Sequence, residues 1–234
     1  MEEQFKAIEK IKASEQVAEM LLNYILEGEI NPGDKLPSER NLAAQFKVTR
    51  TTIREALKKL EQLKLIVINQ GQGIIVEDFH NASIDLIFYL LNVNGKIDLK
   101  ILENILEARE LFGTDVARLA AKRADKDDIE QMSQLIEQII NADDPAQLQR
   151  LDFDFFRKLA WASKNMVYIL LMNTIKAIHD KYLHMFLPLT SDLNKKLQQE
   201  IFEAVENKDE ERAAQKANEF LQTARELLKF LKTT

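Results

Sequence analysis

The 234-residue sequence predicts a mainly α-helical protein in two parts: a winged helix-turn-helix, then an all-helical bundle of about seven helices. Three observations carry this. Six glycines and four prolines are too few for a fold rich in tight β-turns. Two short helical stretches stand almost end to end over residues 38–65, and a β-branched hairpin follows at once. Beyond a polar stretch near residues 78–82, apolar residues recur at helical spacing to the end of the chain.

Taken in order, residues 2–12 are charged and either extend the first helix or fray. Ser14 is read as the N-cap of a helix carrying Val17, Leu21, Leu22, Ile25 and Leu26 inward and ending near Gly28. Asn31-Pro32-Gly33-Asp34 is a turn. Ser38 caps a short helix with Leu42, Ala43 and Phe46 inward, and Thr49 caps the next. In that helix Ile53, Ala56, Leu57, Leu60 and Leu63 form one apolar stripe. Ile66-Val67-Ile68 and Ile74-Ile75-Val76, joined by Asn69-Gln70-Gly71-Gln72-Gly73, make the wing hairpin. Residues 1–77 are thus assigned to the winged helix, 78–83 to a linker and 84–234 to the bundle, with no further strand. Bundle helices are expected over 84–91, 98–124, 128–140, 144–162, 168–187, 191–206 and 209–232. Pro145 stands at the first position of the fourth, and Pro188 ends the fifth.

With 46% hydrophobic and 30% charged residues the chain is globular. It has no cysteine, which excludes disulfides, thiolate metal sites and a cysteine nucleophile. No apolar leader opens the sequence and no apolar run approaches a membrane span, so a cytoplasmic protein without membrane contact is expected. The net charge is −6, yet residues 35–64 hold eight Lys/Arg against three Asp/Glu. Basic charge concentrated in an acidic chain is an electrostatic footprint for a polyanion. Arg50, Arg54 and Lys58 are four apart and stack on one helix face, beside free N–H groups and the positive end of the helix dipole. Alone, such a stripe is an ordinary solvated face. Within a helix-turn-helix it is the equipment for phosphates and base edges. The glycines of the hairpin tip serve the turn and also let backbone approach a groove.

Pro32-Gly33-Asp34-Lys35-Leu36-Pro37-Ser38-Glu39-Arg40 and Val48-Thr49-Arg50-Thr51-Thr52-Ile53-Arg54-Glu55-Ala56-Leu57 resemble the winged-helix domain of GntR-type bacterial transcription regulators. The stretch from Leu151 to Asn165 resembles the effector domain of the FadR subgroup, in particular its fatty-acid-responsive members. The resemblance implies that Arg40, Thr49, Arg50, Thr51, Thr52 and Arg54 contact double-stranded DNA, with Gln70 and Gly71 at the wing tip. Position 70 departs from the fatty-acid regulators, which carry histidine there. The resemblance further implies a homodimer reading a palindromic operator, one winged helix being a small interface by itself.

Many of these regulators hold a metal in the bundle with one Asp and three His. Asp152 matches the Asp, but the remaining positions fall at Phe156, Gln198 and Phe220, so no metal and no cofactor is expected. His179 and His184 face different directions, and Glu77-x-x-His80 is a lone match. Phe153, Phe156, Trp161, Tyr168, Phe186 and Phe220 either line an effector pocket or are core. By resemblance the effector is a long-chain fatty acyl-CoA that releases the protein from its operator. The alternatives are a small organic acid, or a constitutive DNA-binding dimer. Residues 218–226 lack the glycines that fatty-acid regulators carry near the coenzyme. No P-loop, nucleophile–base pair or marked carboxylate pair supports an enzyme.

Overall fold

The computed structural model describes residues 12–69, 71–93, 96–186 and 192–233. Two compact units result, Met1–Ile97 and Asp98–Thr234.

In the first unit, α1 (Ala13–Leu26) buries Val17, Ala18, Leu21, Leu22 and Ile25, a stripe at helical spacing. A turn follows in which the Asn31 amide donates to the Asp34 carboxylate at 2.8 Å. It leads into β1 (Lys35–Leu36). Ser38 caps α2 (Glu39–Phe46) by accepting from the Asn41 amide. Lys47, at φ 54°, turns the chain sharply into α3 (Arg50–Gln62). Thr49 Oγ1 accepts from the Thr52 amide at 3.2 Å and caps that helix. Ile53, Ala56, Leu57 and Leu60 of α3 are all but inaccessible, so this helix is the centre of the first core. Strands β2 (Ile66–Asn69) and β3 (Gly73–Val76) form the wing, and β1 pairs on the other side of β3. The sheet order is β1-β3-β2.

The segment after the wing differs from the expected linker and first bundle helix. It forms 3-10 turns at Phe79–Asn81 and Ile84–Leu86 and one helical turn, α4 (Ile87–Leu90). Leu86 is buried in the winged-helix core, with Phe79, Tyr89 and Leu90 packed against it, and the Ser83 amide donates to the Leu63 carbonyl at 2.9 Å. The apolar run 84–91 is therefore an outer layer of the first unit. A short antiparallel pair, β4 (Asn92–Val93) and β5 (Lys96–Ile97), follows where no strand was expected.

Six helices make the second unit among the described residues: α5 (Leu99–Arg123), α6 (Lys126–Asn141), α7 (Pro145–Ala162), α8 (Met166–Phe186), α9 (Asp192–Glu206) and α10 (Glu210–Thr233). Their starts are chemically marked. Asp98 and Asp144 cap α5 and α7, and Asp125 with Asp128 forms a capping box at α6. Ala117, Ala120 and Ala121 of α5 and Ala213 and Ala217 of α10 are buried, so these two helices approach closely. At Gly113 the approach is tighter still, since a Cβ there would lie 2.5 Å from Leu221 Cδ1. Phe155, Leu159, Met132, Ile139 and Ile201 fill the rest of the core.

Candidate DNA interface and effector cavity

The first unit presents a basic, threonine-rich helix start. Arg40, Thr49, Arg50, Thr51 and Arg54 are exposed, and Thr52 is half-buried. The two hydroxyls Thr49 Oγ1 and Thr52 Oγ1 lie 2.9 Å apart at the first turn of α3. Arg54 Nε donates to Glu39 Oε2 at 2.8 Å, which links α3 to the first turn of α2. That bond engages the inner nitrogen of the guanidinium and leaves the terminal pair for an external acceptor. Gly71, at φ 82°, is exposed at the wing tip. Gln70 lies outside the described residues. Lys35, paired with Ile75, reaches along the wing toward its tip, its Cε 2.5 Å from where a Cβ on Gly73 would stand, so Gly73 leaves room for a lysine stem there.

In the second unit, α5, α7, α8, α9 and α10 enclose a cavity of about 70 Å³. Of the aromatic set, Phe153, Phe156 and Phe220 line it. The Phe156 and Phe220 rings are 5.0 Å apart, and Phe153 stacks on His179 at 4.5 Å. Tyr168 instead lines an adjoining apolar cavity of about 30 Å³ with Phe112, Met172 and Leu221. Trp161, expected at the pocket, lines neither cavity and is 52% exposed; it falls on the outer face of α7. The side chain of Phe186 lies outside the described residues.

Polar groups in this cavity were not anticipated as effector contacts. Arg109 on α5, Gln149 and Asp152 on α7, His179 on α8 and Asn194 on α9 all line it. Asp152 is 6% exposed and its Oδ1 accepts no hydrogen bond. Burial pushes its carboxyl up to about 7, against the pull of the adjacent Gln198 amide and the Arg109 charge. Burial lowers Arg109, with Asp152 acting in the opposite sense. It also lowers His179, so its imidazole is neutral at neutral pH. Gln198 is fully buried, and among the described residues its amide has no partner at ordinary hydrogen-bond geometry, although it lies against the Asp152 carboxyl. A signal for these groups does exist in the sequence: Asn194 and Gln198 precede Leu197 and Ile201 at spacings that belong to the buried stripe of α9, and Gln149 and Asp152 interrupt that of α7. Polar residues on a buried face mark either a network or a site.

The positions where related proteins carry metal ligands do converge. Asp152, Phe156 and Phe220 line one cavity, with Gln198 beside Asp152. Only one of the four offers a good metal donor, and two are hydrocarbon rings, so the residues present do not fit that metal. Among the described residues no three His, Cys, Asp or Glu are grouped to hold an ion.

A capped recognition helix with a wing, on a chain whose second unit is a helical bundle around a polar-lined cavity, defines a DNA-binding protein with a ligand-sensing domain. Comparison gives the family. Residues 13–76 match the bacterial regulatory proteins of the gntR family and residues 104–223 match the FCD domain. The regulator Mce2R of Mycobacterium tuberculosis is 35% identical over 167 residues, covering 71% of this chain and 70% of that protein. A fatty acid metabolism regulator protein of Pasteurella multocida is 30% identical over 165 residues, covering 70% and 67%. Among solved structures, a GntR protein of Streptococcus agalactiae is 28% identical with a TM-score of 0.50, covering 91% of this chain and 99% of that one. The chain belongs to the GntR family of transcription regulators, in the FadR subgroup, with an FCD effector domain. It is a DNA-binding regulator and not an enzyme. Among the described residues no helix is long and apolar enough to cross a membrane.

Proposed function

We propose that the protein is a homodimeric regulator whose hold on a palindromic operator is set by an organic acid bound inside the helical bundle. One observation carries this reading: the cavity encloses a cationic Arg109, a carboxyl and buried amides within an aromatic wall, at a volume of about 70 Å³. Pockets for drug-sized molecules run to roughly 300–1,000 Å³, so this cavity suits a small acid better than a long acyl chain. Arg40, Thr49, Arg50, Thr51, Thr52 and Arg54 contact DNA in this reading, with Gln70 and Gly71 at the wing tip. For the acid to release the operator, it must bind the DNA-incompetent state more tightly.

A long-chain acyl-CoA is the second reading. It is favoured by the relatives named as fatty acid metabolism regulators and by the apolar cavity beside the first. It requires the bundle to open well beyond the cavity described. No cofactor and no metal enters either reading.

The test is an anisotropy titration of the complex with an operator fragment selected from random DNA. Small carboxylic acids, palmitoyl-CoA and free coenzyme A are added in turn. Release by acids supports the first reading, and release by palmitoyl-CoA alone supports the second. No change with any of them indicates a constitutive DNA-binding dimer. Sedimentation at micromolar concentration is expected to give a dimer, and a monomer would remove the palindrome argument.

A further inference from the structure

The wing hairpin carries no charge of its own. From Ile66 to Val76 it reads Ile-Val-Ile-Asn-Gln-Gly-Gln-Gly-Ile-Ile-Val, without one acidic or basic side chain. Attraction to phosphate is the sequence-independent part of DNA affinity, and a neutral hairpin adds little to it. A charge reaches the hairpin from another strand. Lys35 of β1 stands opposite Ile75 of β3, and Ile75 stands opposite Val67 of β2. Directly opposed residues share a face, so these three lie together on one side of the sheet. Leu36, Ile66, Ile74 and Val76 occupy the other side and are buried in the core.

Gly73, paired with Asn69, comes next on the Lys35 side, two residues or about 7 Å nearer the tip. The lysine stem crosses that gap. Its Cε is 2.5 Å and its Nζ 3.3 Å from the place of a Cβ on Gly73. The ammonium therefore ends where β3 meets the loop carrying Gly71. A side chain at position 73 would block this path, and the backbone at φ 101° favours glycine there as well. Lys35 is exposed, and among the described residues no hydrogen bond or ion pair engages it. The neighbouring Asp34 carboxylate is taken by the Asn31 amide. Arg54 and Lys59 of α3, by contrast, are paired with Glu39 and Glu15.

We infer that Lys35 is a further DNA contact, its ammonium binding a backbone phosphate beside the groove that the wing tip enters. The minor groove of B-DNA is only about 6 Å wide, so a hairpin tip placed in it has a sugar–phosphate wall against its faces. An ammonium is a compact charge with rotating donors, suited to phosphate rather than to the patterned edge of a base. The contact adds grip and register, and no sequence preference. The inference extends the set of contacts proposed above and rests on their placing Gly71 against DNA.

The experiment is a series of binding isotherms of the full-length protein on its selected operator, at salt from about 50 to 200 mM. Lys35→Gln should flatten the dependence of log K on log salt by about 0.9 per bound chain. Its deficit against the parent should shrink about threefold to fourfold per chain across that range. Operator and random DNA should lose alike, so that their affinity ratio stays constant. Lys35→Arg should restore the slope. Lys64 is an exposed lysine at the base of the hairpin; Lys64→Gln removes the same charge from the chain and should move the slope clearly less. Single methylphosphonate substitutions along the operator locate the phosphate. Neutralising the one that Lys35 meets should weaken the parent and cost Lys35→Gln nothing further. A parent-like slope in Lys35→Gln, an equal change in Lys64→Gln, or a loss confined to the operator would each overturn the inference. Gly71→Asp sets an acidic group on the wing tip and separates this inference from the reading beneath it. Weakened binding by Gly71→Asp together with a parent-like slope in Lys35→Gln would strike Lys35 alone. Full affinity in Gly71→Asp would remove the wing contact and Lys35 with it.

Discussion

Arg54 and Glu39 are joined by a 2.8 Å hydrogen bond between Nε and Oε2, across the two helices of the helix-turn-helix. The pair is exposed, 64% and 34% by side chain, so its direct contribution to stability is small, about 0–1 kcal/mol. Its consequence is orientation, since an arginine held at Nε presents its two terminal nitrogens as a fork. Glu39→Ala is expected to leave unfolding free energy within about 1 kcal/mol of the parent. It should also narrow the ratio of operator to random-DNA affinity, because an anchored donor becomes mobile and an acidic repellent is lost. Competition anisotropy measures that ratio. An unchanged ratio would mean Arg54 does not act through this geometry.

Arg50 stands at the first position of α3, beside two threonine hydroxyls. Arg50→Ala is expected to weaken operator binding by about 1–3 kcal/mol if the side chain reads a base edge in two-pronged fashion. Lys58 lies two turns further along the same helix and should act on phosphate only. Lys58→Ala should therefore weaken all sequences alike and lower the salt slope by about one. Binding isotherms at several salt concentrations separate the two cases. A uniform loss in both variants would assign Arg50 to phosphate as well.

The two-part architecture was legible because its signals are local. Thr49 followed by the Ile53–Leu60 stripe specifies a capped, one-sided helix, and Ile66–Val76 with its glycines specifies a hairpin. The segment 84–91 was misread for a physical reason. An apolar run of that length fits a helix of either unit, and only its tertiary partner, the core around Leu86, decides which. Strand β1 has two residues and exists through its pairing with Ile74 and Ile75, which no local pattern announces. Aromatic content singled out Phe153, Phe156 and Phe220, which line the cavity, and equally Trp161, which does not, since ring size says nothing about facing. Arg109 and the polar positions of α7 and α9 were the better signal, because a buried face tolerates such groups only where something satisfies them.

Metal removal should be silent. Of the three positions that converge with Asp152, none adds a second strong donor, so dialysis against a chelator is expected to leave both thermal midpoint and effector affinity unchanged. Elemental analysis of protein before and after dialysis, paired with a melting curve, checks this. About one metal per chain whose loss lowers the midpoint would show that the ligands come from elsewhere in the bundle.

Asp152 predicts a pH dependence whose sign is fixed. Its ordinary value is 3.8, and burial raises it to about 7 in the folded chain, with Gln198 and Arg109 opposing. Between those values the folded protein retains a proton that the unfolded chain has lost, so stability falls as pH rises. The contribution is fully present below about pH 4 and is lost as pH rises through about 7, a loss on the order of a few kcal/mol at most. His179 faces the same cavity with its value lowered, and it titrates in the opposite sense: its contribution is absent at low pH and present above its ordinary value of 6.5. The two are separable by substitution. Asp152→Asn should flatten the decline between pH 5 and 8 and be more stable than the parent at pH 8, whereas His179→Gln should steepen it. Urea unfolding at fixed protein concentration, at half-unit pH steps, provides the curves. A parent whose stability rises with pH across this window, or an Asp152→Asn variant with the parent's slope, would show that the carboxyl is ionised in the folded cavity and that Arg109 already has its counterion.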